Sequence, residues 1–160
     1  MYAFGLLFSA LKGAPYVPTS KKKLAEILDV AKPHANATFF ELGSGDGRMV
    51  RFAAQTYGVK GIGIEVNPLL VWWARLLAKR DKVRNVVFLK KNIFSTDMSS
   101  ASYLYIFLMP ELIVKLLPKF EAELKKGTII ISHGFKIIPW EKKLWKTLPS
   151  PTFSTFYYRI

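Results

Sequence analysis

The chain of 160 residues carries 24 Lys and Arg against 11 Asp and Glu, a formal net charge of +13, and no cysteine. Its length suits one domain with a sizeable core, while the missing cysteines exclude disulfides, thiolate metal sites and thiol nucleophiles. His34 and His133 are the only histidines, too few for a His-rich metal site, so no metal is expected.

Met1 to Leu11 is almost wholly apolar, and we take 1–13 as a leading segment and 14–160 as one domain. About 20 residues span a bilayer, so this run is too short to cross as it stands. No basic residue precedes Lys12, which argues against a secretory signal. The segment reads as a helix packed on the domain, an interfacial anchor, or the end of a longer spanning helix. The expected location is therefore the cytoplasm or the cytoplasmic side of a membrane. Lys12, Lys21, Lys22 and Lys23 are the residues with which an anionic membrane surface would be met. The excess charge alone fits either anionic partners or a basic soluble protein.

Ala14 to Thr19 is a proline-stiffened approach to a first helix, with Thr19 or Ser20 as its N-cap. Leu24, Ile27, Leu28 and Ala31 recur at helical spacing and make one core-facing stripe. Then comes Phe39-Phe40-Glu41-Leu42-Gly43-Ser44-Gly45-Asp46-Gly47-Arg48, a buried strand broken by three alternating glycines before a helix from about Arg48 to Tyr57. Glycine at alternate positions strips the turn of Cβ atoms, so a ligand can lie on the backbone while free N–H groups of the next helix point at it.

A dinucleotide fingerprint would require a third glycine where Arg48 stands, so the G-x-G-x-G form suits S-adenosylmethionine better than a nicotinamide cofactor. A second strand, Gly61 to Glu65, ends in an acid 20 residues after Gly45. That is about the distance at which a carboxylate reaches the ribose of a ligand held by the first turn, so Glu65 is the expected ribose contact. Three of the eleven acids, Glu41, Asp46 and Glu65, fall within this unit, where negative charge suits a ligand bearing a sulfonium and an ammonium.

Asn67-Pro68 supplies an N-cap and a first-turn proline for a helix whose stripe reads Leu69, Trp72, Trp73, Leu76 and Leu77. Leu70, Val71 and Ala74 lie off that stripe, so the helix is heavily buried or meets a partner, with core packing the preferred account of the tryptophans. Strand three is Asn85 to Lys90. At its carboxyl end Asn92 is placed to read adenine, with Ile93 packing near the ring. Strand four runs from Ser102 to Leu108. Leu112 to Leu124 is helical with a break expected near Leu117, ahead of Pro118. Thr128 to Ser132 is strand five, Gly134 to Trp140 is extended, and Lys143 to Thr147 and Thr152 to Ile160 are strands. On the last of these Phe156, Tyr158 and Ile160 alternate as in a half-buried antiparallel element. The sum is an α/β chain with a seven-stranded, mostly parallel Rossmann-like sheet, an antiparallel last strand and helices on both faces.

From about Pro15 onward the chain resembles the class I, seven-strand S-adenosylmethionine-dependent methyltransferases. More narrowly it is similar to the protein-lysine methyltransferases that include the enzyme acting on the c-subunit of ATP synthase and its archaeal broad-specificity relatives. Pro15-Tyr16-Val17-Pro18-Thr19, Glu41 to Arg48, Gly63-Ile64-Glu65-Val66-Asn67-Pro68 and Ser132-His133-Gly134-Phe135 followed by Trp140 carry the likeness. It implies that Glu41, Gly43 and Gly45, in a loop with Ser44 and Gly47, surround the methionine part of the cofactor, Glu65 the ribose and Asn92 the adenine, with Tyr16 and Thr19 folded over it. It also implies a protein substrate with an accessible lysine.

For such a substrate, a narrow aromatic channel walled by Tyr16, Phe135 and Trp140 is expected to strip water from the amine. No general base is assigned, and Glu111 reads as an exposed acid at a helix start. The alternatives are an RNA or DNA methyltransferase, favoured by the charge, and a non-catalytic nucleotide-binding module. Strand four ends in Phe107-Leu108-Met109-Pro110, without the Asn/Asp-Pro-Pro-aromatic segment of amino-methylating nucleic-acid enzymes, which makes nucleic acid the less expected acceptor. Enzymes that methylate carbon 5 of pyrimidines through a cysteine adduct are excluded by the composition.

Overall fold

The computed structural model describes residues 19–160, so the apolar leading segment, its expected membrane contact and Tyr16 lie outside the described residues. Among the described residues, short β-branched and aromatic runs form seven strands: β1 (Thr38–Leu42), β2 (Lys60–Glu65), β3 (Val86–Lys90), β4 (Tyr103–Ile106), β5 (Ile129–His133), β6 (Leu144–Leu148) and β7 (Thr155–Arg159). They make one sheet of order β3-β2-β1-β4-β5-β7-β6. The first five are parallel, and β7 runs antiparallel to both β5 and β6. The chain winds outward from β1 to β3, then crosses to β4 on the other side of β1. The crevice at the carboxyl ends of β1 and β4 is therefore the switch point where sheets of this kind hold ligands.

Four helices of the described residues cover the sheet: α1 (Lys21–Ala31), α2 (Arg48–Tyr57), α3 (Pro68–Arg80) and α4 (Pro110–Glu123). Helix α1 starts as expected, with the Ser20 hydroxyl accepting the Lys23 N–H at 3.2 Å, and buries Leu24, Ile27, Leu28 and Ala31. With α2 and α3 it packs on the face that carries Phe39, Tyr103, Tyr105 and Ile131. Helix α4 and the segment around Trp140 pack on the opposite face, against Phe40, Leu42, Leu104, Ile106 and Ile130. Among the described residues no helix is long and apolar enough to cross a membrane.

Three local expectations are corrected. In α3 the buried side is Val71, Ala74, Leu77 and Ala78, while Leu69, Trp72 and Leu76 are 71%, 60% and 43% exposed. The space beneath α3 is shared with the buried Phe88 ring, so small residues face the sheet and the bulky stripe turns outward. Helix α4 runs unbroken through Pro118. The proline removes the N–H that would bond the Val114 carbonyl, but Pro118 and Val114 both lie on the exposed side, where water can take that acceptor. Strand β7 is covered on both faces rather than one. The Tyr157 hydroxyl donates to the Ile27 carbonyl at 2.8 Å on the α1 side, and the Tyr158 hydroxyl accepts the Ile137 N–H at 2.7 Å on the other.

Candidate active site

The turn between β1 and α2 is built on three glycines in left-handed conformation, Gly43, Gly45 and Gly47, at φ of 68°, 53° and 70°. A Cβ on Gly47 would stand 2.2 Å from the Phe88 ring, so this position requires glycine for steric as well as torsional reasons. The N–H groups of Gly43 and Ser44 both donate to the Ile64 carbonyl, each at 2.9 Å, and that of Gly47 donates to the Ser44 carbonyl at 2.7 Å. Gly45 N–H donates to Glu65 Oε2 at 3.0 Å.

At the start of α2 the Asp46 carboxylate accepts the Arg48 N–H at 3.1 Å, and the Glu41 carboxylate accepts the Val50 N–H at 3.0 Å. The free, ligand-facing N–H groups expected from the glycine pattern are thus already bonded to the protein's own oxygens. The positive end of the helix dipole is closed by two carboxylates, which removes the anion site that a pyrophosphate would need. What remains is a shaped cradle bordered by acidic side chains.

That cradle opens into a cavity of about 390 Å³ at the carboxyl ends of β1 to β4. Thr19, Glu41, Gly43, Ser44, Gly45, Glu65, Asn92 and Ile93 line it, in keeping with the sequence pattern; Gly47 does not, and sits beneath the loop against Phe88. Glu65 is clamped from both sides, Oε1 accepting the Asn67 N–H at 2.9 Å and Oε2 that of Gly45, which leaves its remaining lone pairs for a ligand. Asn92 uses Oδ1 to accept the Phe94 N–H at 2.9 Å. The Ser44 hydroxyl is buried without a hydrogen-bond partner among the described residues.

Glu41 is 6% exposed, and burial pushes its carboxyl up to about 8 from 4.5; the nearby Asp46 charge adds to the rise while the Val50 N–H opposes it. Asp46 in turn pairs with Arg48, whose Nη2 lies 2.7 Å from Oδ2 and whose Nη1 donates to the Thr19 carbonyl at 3.2 Å. This ion pair ties the glycine loop to the residue that leads into α1.

Of the expected aromatic walls, the two described residues Phe135 and Trp140 do not reach the cavity. Trp140 is 3% exposed in the core of the opposite sheet face, packed on Phe120 and Tyr158, with its indole N–H donating to Glu121 at 3.0 Å. Phe135 packs into the same core. Neither lines the cavity. The reason is local: β5 ends at His133, and Gly134, at φ 88°, turns the chain away. The aromatic residues that do stand at the cavity are Phe94, Tyr105 and Phe107, and Phe107 packs edge-on against His133 and Phe153 at 4.7 and 5.2 Å between ring centres. Strand parity held the signal, because Glu41 pairs with Tyr105 in register and alternate residues on β4 and β5 then share the Glu41 face.

Residues 41–144 match the model of the ANTKMT methyltransferase domain. The chain is 36% identical over 131 residues to a protein-lysine N-methyltransferase of Saccharolobus islandicus, covering 81% of each. It is 31% identical over 127 residues to the ATP synthase c-subunit lysine N-methyltransferase of Rattus norvegicus, of which it spans 58%. Among solved structures it is similar to one described as an RNA methyltransferase from Salinibacter ruber in complex with S-adenosyl-L-homocysteine. That likeness has a TM-score of 0.84 and 34% identity, over 90% of this chain and 94% of the other.

The residues present fit a sulfonium donor. The clamped Glu65 carboxylate lines the cavity with lone pairs left over and suits vicinal ribose hydroxyls. Glu65 and Asp46 are acidic groups beside the loop, and Glu41 adds a third charge once a cationic ligand draws off its proton, so a cationic cofactor suits the cradle better than a phosphate-bearing one. The chain belongs to the ANTKMT methyltransferase domain family and is an S-adenosylmethionine-dependent methyltransferase.

Proposed function

We propose that the protein methylates the ε-amine of lysine in a protein substrate. The observation that carries this reading is the 36% identity to an archaeal protein-lysine N-methyltransferase, extending over 81% of both chains. Glu65 would hold the ribose, Asn92 and Ile93 the adenine, and Glu41, Gly43, Ser44 and Gly45 the methionine part, with Thr19 at the edge. When bound, the cofactor supplies a methyl group on a positively charged sulfur.

The acceptor amine must first lose its proton, because only the neutral form has a lone pair to offer. Against a reference pKa near 10.4 this costs about 5 kcal/mol at pH 7, which desolvation by apolar walls and a nearby positive charge both reduce. The proton leaves to water before attack. The amine lone pair would then be free to accept the methyl group that a bound donor would supply, with the acceptor held in line with it. The protein's task is to align donor and acceptor and to keep water out of the closed site.

A second reading, methyl transfer to RNA, is favoured by the likeness to the Salinibacter ruber structure described as an RNA methyltransferase and by the net charge of +13. Incubation with labelled S-adenosylmethionine and, separately, cell protein and cell RNA tests both. Label in protein, at lysine after hydrolysis, is expected. Label confined to RNA would overturn the lysine reading.

A further inference from the structure

Beside the donor cavity lies a second hollow of about 290 Å³, and Thr19 and Phe107 line both. Its other walls come from Lys23 at the start of α1, His133 at the end of β5, and Thr152 and Phe153 in the loop before β7. We propose that this hollow is the port through which the substrate amine reaches the donor cavity, with Phe107, His133 and Phe153 as its aromatic lining. The inference rests on the amine-acceptor reading above and assigns it a place on the molecule.

Position is the first argument. Tyr105 and His133 stand at the ends of adjacent strands, their rings stacked 6.3 Å apart at 25°, and Tyr105 is paired in register with Glu41. The hollow therefore opens on the same sheet face as the buried acid of the donor cavity, separated from it by the Phe107 side chain that both share.

Chemistry is the second. Phe107 lies edge-on to His133 at 4.7 Å and to Phe153 at 5.2 Å, and His133 lies edge-on to Phe153 at 5.9 Å. Such a ring cluster gives an arriving amine apolar, desolvating walls and offers no carboxylate to hold the proton on. His133 is 3% exposed, with Nδ1 2.9 Å from the Thr155 hydroxyl. Burial first, and then the Lys23 charge, push its imidazole down to about 4, so the wall is uncharged at neutral pH and does not repel a cation. Lys23, itself 3.6 Å from Glu26, places one positive charge at the hollow. A cation in that position favours the neutral form of an arriving amine, which is the nucleophilic one.

The test exploits the absence of cysteine from the chain. Thr152→Cys introduces a single exposed thiol at the lip of the hollow, and capping it with a bulky maleimide plugs the port. Transfer of label from S-adenosylmethionine to cell protein is expected to fall at least tenfold, while S-adenosylhomocysteine affinity by calorimetry stays within twofold. The same cap on Thr56→Cys, at the exposed end of α2, is expected to change neither. A capped Thr152→Cys protein that still labels cell protein at the uncapped rate overturns the port. Loss of S-adenosylhomocysteine binding on capping would place the hollow in the donor site and overturn it too. An unmodified chain that labels RNA alone would instead remove the amine acceptor, and the port with it.

Discussion

At the carboxyl edge of the sheet the ends of β1 and β2 present Glu41, Asp46 and Glu65 around a glycine-hinged loop, whereas the ends of β4 and β5 present Tyr105, Phe107 and His133 and no carboxylate. One half is acidic and closely bonded through backbone groups, the other aromatic and uncharged. Methyl transfer from a sulfonium to an amine needs both. The cationic donor is held by negative charge, but the acceptor must shed its own charge, and a carboxylate beside it would keep the proton on. Separating the two environments across adjacent strands lets one small domain meet opposite electrostatic demands.

The contrast breaks most sharply at Glu65. Glu65→Ala removes a carboxylate that is fixed by two N–H groups and free to accept ribose hydroxyls, so S-adenosylhomocysteine affinity by calorimetry is expected to fall roughly 100-fold. His133→Phe, in the aromatic half, is expected to leave that affinity within about twofold. Equal losses in the two variants would erase the distinction between the halves.

Gly47→Ala tests the loop's geometry. It combines a left-handed φ of 70° with a Cβ 2.2 Å from Phe88, and is expected to cost about 3 kcal/mol in denaturant unfolding. A midpoint unchanged from the parent would show that the hinge does not need glycine.

The halves also differ in how they titrate. Glu41, raised to about 8 in the folded protein against 4.5 ordinarily, binds a proton that the unfolded chain has released over that interval. Its contribution to stability is therefore present below about pH 4.5 and is lost as pH rises through about 8, by roughly 3–5 kcal/mol. A cationic ligand favours the ionised form, so S-adenosylmethionine binding at pH 7 is expected to expel up to one proton. Calorimetry in buffers of different ionisation enthalpy measures that release. Glu41→Gln is expected to abolish it, and a release that persists in this variant would assign the proton elsewhere. His133, lowered to about 4 against 6.5 ordinarily, works in the opposite sense: its contribution to stability is present above about pH 6.5 and is lost as pH falls through about 4.

The smallest effect is expected outside both halves. Trp72 is 60% exposed on α3, and Trp72→Ala is expected to change unfolding free energy by no more than about 0.5 kcal/mol and donor affinity not at all.

The same contrast explains how much of the molecule is legible in its sequence. The donor half is largely contiguous: Glu41 to Arg48 is one strand-turn-helix and Glu65 follows at the end of the next strand. Asn92 and Ile93 follow from the strand-end rule and Thr19 from the family resemblance, and all of these line one cavity save Gly47 of the loop. The bonding inside the loop is not legible, because carboxylates compete for N–H groups that the glycine pattern leaves nominally free. The acceptor half draws on β4, β5 and the loop before β7, which only the sheet order places side by side. Phe135 and Trp140 look like walls because they belong to the stretch that carries the family likeness, and a single turn at Gly134 carries both to the far face. Helix α3 misleads for a related reason: with apolar residues around most of its circumference, periodicity does not say which side faces inward, and the Phe88 ring decides it.

The central claim is that one ligand lies across the loop beginning at Gly43 with its sugar on Glu65. A crystal structure with S-adenosylhomocysteine tests it most directly. We predict ribose hydroxyls within hydrogen-bond distance of Glu65, the amino-acid end beside Glu41 and Ser44, and the sulfur facing Phe107. Ligand bound elsewhere, or a Glu65 carboxylate turned away from the sugar, would contradict the account.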